Sequence, residues 1–239
     1  MDWEILLYLC FCFLWLVFSA IFVWVVLITE LSYLPGTKIS FIYNLCAPLY
    51  SWKWSSKAYE SPEIQERLFL EPLKNVLADN PSAKVLDLAC GNGRLSRKLI
   101  EAEWFKGSIL AVDASKSMLK NLEQFLNEKD KFSRVTLQKA DLESWLPETH
   151  EMFDVVILTE AGEFLRDYPL VLKGVSEKLK PQGLFLTTKP PDWLAYLSFG
   201  RKQDSKNLIK LFQFNDFDEI RIFSWTERYE VVHAKWKVN

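Results

Sequence analysis

From residue 84 onward, hydrophobic and polar positions alternate between two kinds of segment. Short apolar runs stand at "KVLDLAC" (84–90), "SILAVDA" (108–114), "RVTLQKAD" (134–141), "FDVVILTE" (153–160) and "GLFLTTK" (183–189). Each is a few residues long and bounded by turn-forming residues, which reads as a buried strand. Between them, residues 92–104, 115–127 and about 162–179 carry helical periodicity. Apolar strands separated by amphipathic helices predict a parallel sheet covered on both faces. The chain ends differently, with a helix near 204–213 and then "DEIRIFSW" (218–225) and "RYEVVHAKW" (228–236). So short a connection predicts that the last two strands pair antiparallel. The expected fold is therefore α/β: a doubly wound, mostly parallel seven-stranded sheet with an antiparallel terminal strand.

Ahead of the sheet, "SPEIQERLFLEPLKNVL" (61–77) offers Ser61 as an N-cap and Pro62 at the first helical position. Ile64, Leu68, Leu73, Val76 and Leu77 share one face, and Pro72 predicts a kink. Residues 31–60 form a connector: "LPGTK" (34–38) signals a turn, and "ISFIYNLCAPLYSWKW" (39–54) mixes apolar and aromatic residues with little charge.

The first segment is of another kind. "ILLYLCFCFLWLVFSAIFVWVVLIT", residues 5–29, carries no charge. As a helix it would be about 37 Å long, against a hydrocarbon core of about 30 Å. A cleavable signal fits poorly, because "MDWE" is acidic and the apolar run exceeds a signal's core. A buried core helix fits less well still, since few are apolar on every face. The expectation is a single span, with a lipid bilayer as partner through residues 5–29. Asp2 and Glu4 precede it, and Lys38, Lys53 and Lys57 follow, which places the C-terminal side in the cytoplasm. Three regions result: an anchor at 1–30, a connector or lid at 31–60 and a folded domain at 61–239.

Charge and cysteine content narrow the function. The net charge is −2, and no dense basic tract exists, so no nucleic-acid partner is expected. Once Asp2 and Glu4 are set aside, the other 29 acids equal the 29 Lys and Arg, as in a neutral soluble domain. The four cysteines and two histidines have no metal-ligand spacing, so no metal is expected, and the cysteines read as reduced thiols. His150 and His233 read as structural or exposed.

In a doubly wound sheet, ligands sit beyond the carboxyl ends of the strands. Three acids mark those ends: Asp87, Asp113 and Asp141. Gly91 and Gly93 allow close backbone approach before a helix whose first N–H groups are free. "GNGRLS" (91–96) is similar to a dinucleotide fingerprint, with Ser96 in the third-glycine place and Asp113 spaced to hold a ribose. Against a dinucleotide stands Asp87, a carboxylate close to where a pyrophosphate would lie. A ligand with an ammonium group, a ribose and an adenine fits better, and S-adenosylmethionine has all three. Each acid also has a plain alternative. Asp87 would tie the glycine loop through backbone N–H groups, Asp113 would cap the next helix beside Ser115, and Asp141 would be an ordinary loop acid.

"VLDLACGNGRL", "LAVDAS", "KADLESW" and "LKPQGLFLTT" stand in order at suitable spacing and together resemble class I S-adenosylmethionine-dependent methyltransferases, over residues 62–236. The resemblance implies a Rossmann-like catalytic domain with S-adenosylmethionine as cofactor. Asp87 and the loop Ala89, Cys90, Gly91, Gly93 would hold the methionine part. Asp113, with Ala114 beside it, would bond both ribose hydroxyls, and Asp141 would accept from the adenine amine with Leu142 adjacent. Many members have glycine where Ala89 stands, and a methyl there is tolerated if the backbone keeps an ordinary φ.

Glu160 follows the fourth strand, where it would face the transferred methyl group as a substrate contact or base; the alternative is a solvated acid at a helix start. Tyr43-Asn44, Ala47 and Tyr50 resemble the segment that closes over the cofactor in quinone-biosynthesis and small-molecule methyltransferases. With Trp52 and Trp54 they would give a lid facing an apolar acceptor, or alternatively anchor the chain at the membrane interface. The expected function is methylation of a hydrophobic small molecule (a quinol or phenol, a lipid or an apolar thiol). The alternatives are methylation of a membrane-associated protein, a non-catalytic cofactor-binding scaffold and a nicotinamide-dependent reductase.

Overall fold

The computed structural model describes residues 3–24, 38, 41–45, 47, 61–198 and 203–237. Trp3–Val23 is one helix of 21 residues whose apolar side chains are almost all exposed, long and apolar enough to cross a membrane. At 1.5 Å per residue it measures about 31 Å. Residues 25–29 of the expected span lie outside the described residues.

Seven strands form one sheet: β1 (Lys84–Leu88), β2 (Ser108–Asp113), β3 (Val135–Lys139), β4 (Phe153–Leu158), β5 (Leu179–Lys189), β6 (Phe217–Ser224) and β7 (Glu230–Trp236). Their spatial order is β3-β2-β1-β4-β5-β7-β6. The first five run parallel, while β7 lies antiparallel to both β5 and β6. The reversed strand is thus the last in the chain, but it is inserted beside β5 and leaves β6 at the sheet edge. The order turns back between β1 and β4, and that switch point is where doubly wound sheets open a ligand crevice.

Side-chain alternation along the strands divides the interior into two cores. Val85, Ile109, Ala111 and Val155 pack beneath Leu99 and Leu122 on one face. Leu86, Leu88, Val112 and Val156 pack against Leu172 and Phe185 on the other. Asp87 falls on the Val85 face, under the helix Arg94–Glu101.

Two expected starts move, and the expected kink takes a definite form. Ser61 caps as expected, its side chain accepting from Ile64 N–H, with Pro62 first in the helix. The predicted kink is a π-helical turn at Glu66–Leu70, just ahead of Pro72, which has no N–H to donate to that turn, while Glu71 N–H reaches back to Glu66 O. The helix expected from 162 is only a 3-10 turn at Gly162–Phe164; the true helix is Tyr168–Lys178, started by the Asp167 cap on Leu170 N–H. Finally, β5 begins at Leu179 rather than 183, reaching the sheet through a register irregularity opposite Phe153 and Val155.

Candidate active site

Parallel register carries β1 and β2 to the same end of the sheet, where Leu88 lies opposite Val112. Asp87 and Asp113 therefore emerge as neighbours. Between them the chain turns through Gly91 and Gly93, both left-handed, with φ of 56° and 78°. A Cβ on Gly93 would lie 2.5 Å from the Leu122 side chain, so this position needs glycine for space as well as for φ. The loop opens a cleft of about 1140 Å³, mouth included, that runs from Ala140–Glu143 past both aspartates to Thr159–Ala161, Phe164 and Leu165. All nine expected cofactor residues except Gly93 line it, as do Glu160 and Tyr43; Gly93 instead seats the following helix.

Asp87 is buried and accepts from Ser96 Oγ at 2.5 Å. Ser96, which stood in the third-glycine place, is thus the partner that holds Asp87. Burial outweighs this bond and the nearby Arg94 charge, pushing the carboxyl up to about 6. Tying the glycine loop, an alternative for Asp87, is a task of Asp113: its Oδ2 accepts from Gly91 N–H at 2.8 Å and its Oδ1 from Ser115 N–H at 2.7 Å. The helix Lys116–Glu128 is capped by Ser115, whose hydroxyl accepts from Met118 N–H. An ionised carboxylate has about four acceptor positions, so Asp113 retains capacity for two ribose hydroxyls. Burial also raises its pKa, against the two N–H bonds. Cys90 is held as a neutral thiol, pushed well up by burial and then by Asp87 and Asp113.

Asp141 lies at the cleft's other end and is half exposed. It caps the short helix Leu142–Trp145 by accepting from Glu143 N–H at 3.0 Å, and Arg166 stands 3.7 Å away. The plain alternative for this acid therefore has a concrete form, although the side chain still borders the cleft.

Two non-glycine residues at strand ends adopt left-handed backbone, Ala89 after β1 (φ 50°) and Glu160 after β4 (φ 55°). The condition of ordinary φ at Ala89 is not met: the turn that gives Cys90 N–H to Val112 O at 3.1 Å adopts the left-handed form, at a cost of about 1–2 kcal/mol for an L-residue. Glu160 is not a solvated acid. Its N–H donates to Thr188 Oγ1 at 2.7 Å, and its carboxylate pairs with Arg94 at 2.8 Å, with only 11% of the side chain exposed. Arg94 in turn lies over Phe69 and Trp225, 5.2 and 4.9 Å from the ring centroids. Sequence reasoning passed over Arg94. It sits inside the glycine motif, but its partner lies 66 positions away and no local spacing links them. Glu163 is buried, and Tyr229 OH donates to it. His233 contacts Leu68 O at 2.8 Å, its pKa lowered by burial, and His150 is exposed.

Part of the connector reaches the cleft. Asn44 Oδ1 accepts from Ser115 Oγ at 2.8 Å and Ser117 N–H at 3.1 Å, clamping residues 41–45 onto the start of the helix Lys116–Glu128. Tyr43 meets Phe164 edge-on at 6.1 Å, and Ala47 is buried. Tyr50, Trp52 and Trp54 lie outside the described residues.

Residues 79–233, more than half of the chain, match the family described as "Methyltransferase domain". Trans-aconitate 2-methyltransferase of Azoarcus sp. is 28% identical over 141 residues, covering 59% of this chain and 52% of that protein. The ubiquinone/menaquinone biosynthesis C-methyltransferase UbiE of Shewanella frigidimarina is 32% identical over 111 residues, 46% of this chain and 44% of the relative. The chain thus spans about half the length of these curated relatives. Among solved structures, magnesium protoporphyrin IX methyltransferase of Synechocystis PCC 6803 with bound SAM superposes with a TM-score of 0.60 at 15% identity, covering 85% of this chain and 98% of that one. At that identity the likeness speaks to the fold.

Proposed function

The chain belongs to the methyltransferase-domain family, and we propose that it is a membrane-anchored S-adenosylmethionine-dependent methyltransferase acting on a hydrophobic small molecule. The observation that carries this reading is the pair of carboxylates, the buried Asp87 and the partly buried Asp113, flanking one glycine turn in one cleft. Asp87 is a buried acid without a full counter-charge, which an ammonium group would supply. Asp113 has acceptor capacity left for a ribose. Ala140, Asp141 and Leu142 border the space beyond for an adenine.

The bound cofactor supplies a methyl group on a sulfonium, activated for in-line displacement. The chain's own residues have to orient both partners and exclude water. Tyr43, Ala161, Phe164 and Leu165 give the other end of the cleft an apolar wall, which suits a quinol, phenol, lipid or apolar thiol. Asn44, bonded to Ser115 and Ser117, keeps Tyr43 at the cleft wall, which supports the lid reading. Glu160, held in place by Arg94, orients an acceptor hydroxyl and takes its proton where the acceptor arrives protonated. The apolar helix Trp3–Val23 supports anchoring next to a membrane-dissolved acceptor, and Lys38, Lys53 and Lys57 after it favour the cytoplasmic side for the domain.

Label transfer tests the proposal. Membranes are incubated with the full chain and methyl-tritiated S-adenosylmethionine, then extracted with organic solvent, with Asp113→Ala as control. Label that enters the organic phase and disappears with the variant supports a lipid-like acceptor. Label confined to protein would replace it with methylation of a membrane-associated protein, and no transfer despite cofactor binding would favour a scaffold.

A further inference from the structure

The helix Asp192–Leu197 follows β5 at the carboxyl end of the sheet, the end at which the cleft opens. Leu194 and Ala195 turn inward and are buried. Trp193, Tyr196 and Leu197 are 55%, 68% and 48% exposed. Residues three and four apart share a helix face, so these three make one apolar surface with a phenol at its margin. The surface is held in place. Buried Lys189 Nζ donates to Asp192 Oδ1 at 3.0 Å and to Glu230 Oε2 at 2.6 Å. The same Asp192 oxygen accepts from Ser205 N–H and Oγ, both at 2.7 Å. Lys189 is shared between Asp192 and Glu230, so the acid that directly precedes Trp193 is ion-paired.

Trp24 points to what covers this surface. It directly follows the apolar helix Trp3–Val23, and its Nε1 donates to Leu197 O at 3.1 Å. Counted from Ile5, 20 residues at 1.5 Å each reach about 30 Å at Trp24, the thickness of the hydrocarbon core. Trp24 thus stands at the water boundary that Trp and Tyr favour, although the uncharged run continues to Thr29. The bond therefore sets the Leu197 carbonyl, and with it the exposed face, at the same depth. We infer that the Trp193–Tyr196–Leu197 face of the folded domain lies in the head-group region of the bilayer that the anchor crosses. This second, non-spanning contact turns the cleft end of the sheet toward the membrane. The inference rests on reading Trp3–Val23 as a span.

The test uses the full chain reconstituted in phosphatidylcholine vesicles, with and without phosphatidylcholine brominated on the upper acyl chain. The emission of Trp193 is obtained as the difference between the wild type and Trp193→Phe. That share should be lost in brominated bilayers. Placing two charges on the face, as in Tyr196→Glu with Leu197→Glu, should restore it while the protein stays in the membrane after carbonate washing and still binds S-adenosylmethionine. A Trp193 share equally bright in both vesicles, from protein that resists carbonate, would overturn the docking face and leave the anchor standing. Protein released by carbonate would overturn the anchor and the docking face together.

Discussion

Asp87 offers the sharpest quantitative handle, because burial has raised its carboxyl from 3.8 to about 6. Ionising it within the fold thus costs about 3 kcal/mol more than in water, at about 1.4 kcal/mol per pH unit. Without cofactor, the folded chain keeps this proton below about pH 6, whereas the unfolded chain releases it near 3.8. The folded state binds the extra proton across that window. Stability should therefore fall as pH rises through it, by up to about 3 kcal/mol by neutral pH. An ammonium group beside Asp87 reverses the preference and expels the proton. The affinity for S-adenosylmethionine should then drop up to about tenfold for each pH unit below about 6. Near that pH, binding should release about half a proton, rising toward one by about pH 5. Isothermal titration calorimetry between about pH 5 and 7.5, in buffers of different ionisation enthalpy, reads both quantities. Asp87→Asn should bind more weakly by about 1.5–3 kcal/mol, the scale of a hydrogen bond to a charged group, and should lose the pH dependence. Constant affinity in the wild type without proton release would refute the placement of the ammonium at Asp87.

Asp113→Ala strips acceptors from Gly91 and Ser115 as well as from a ribose, and should weaken cofactor binding by about 1–3 kcal/mol in equilibrium dialysis; a folded variant with unchanged affinity would remove the ribose assignment. Glu160→Gln should lower turnover on the order of a hundredfold while cofactor affinity stays within a few-fold, if Glu160 handles the acceptor's proton. Equal losses in both would make the Arg94–Glu160 pair a structural clamp. Ala89→Gly should leave Tm unchanged or slightly higher, because relief of about 1–2 kcal/mol of left-handed strain is opposed by about 0.5–1 kcal/mol of added chain entropy. A clear fall in Tm would show that the Ala89 methyl packs favourably.

What was legible in the sequence depended on distance along the chain. The strand–turn–helix from Asp87 to Ser96 is local, so its glycines, its acid and its helix start follow from spacing alone. The parallel strands follow likewise from unbroken apolar runs. The insertion of β7 between β5 and β6 is a global choice that no local pattern carries. The Arg94–Glu160 pair is hidden for the same reason, and the aromatic seat of Arg94 joins Phe69 to Trp225 from opposite ends of the domain. Backbone strain is hidden differently. Alanine at 89 gives no sign of a left-handed φ, because the hydrogen bond that accompanies it, from Cys90 to Val112, is itself tertiary. The late start of the helix Tyr168–Lys178 shows a cap overriding periodicity, since Asp167 was present in the sequence but the apolar pattern began earlier.

On the proposed function, the acceptor is reached through the bilayer that holds the chain. The most direct measurement places the full chain and a lipid-soluble phenol, with tritiated S-adenosylmethionine in the buffer, either in the same vesicles or in two separate populations. Organic-extractable label should appear only when enzyme and acceptor share a membrane. Equal transfer in both arrangements would contradict it, as would label that stays in the water phase.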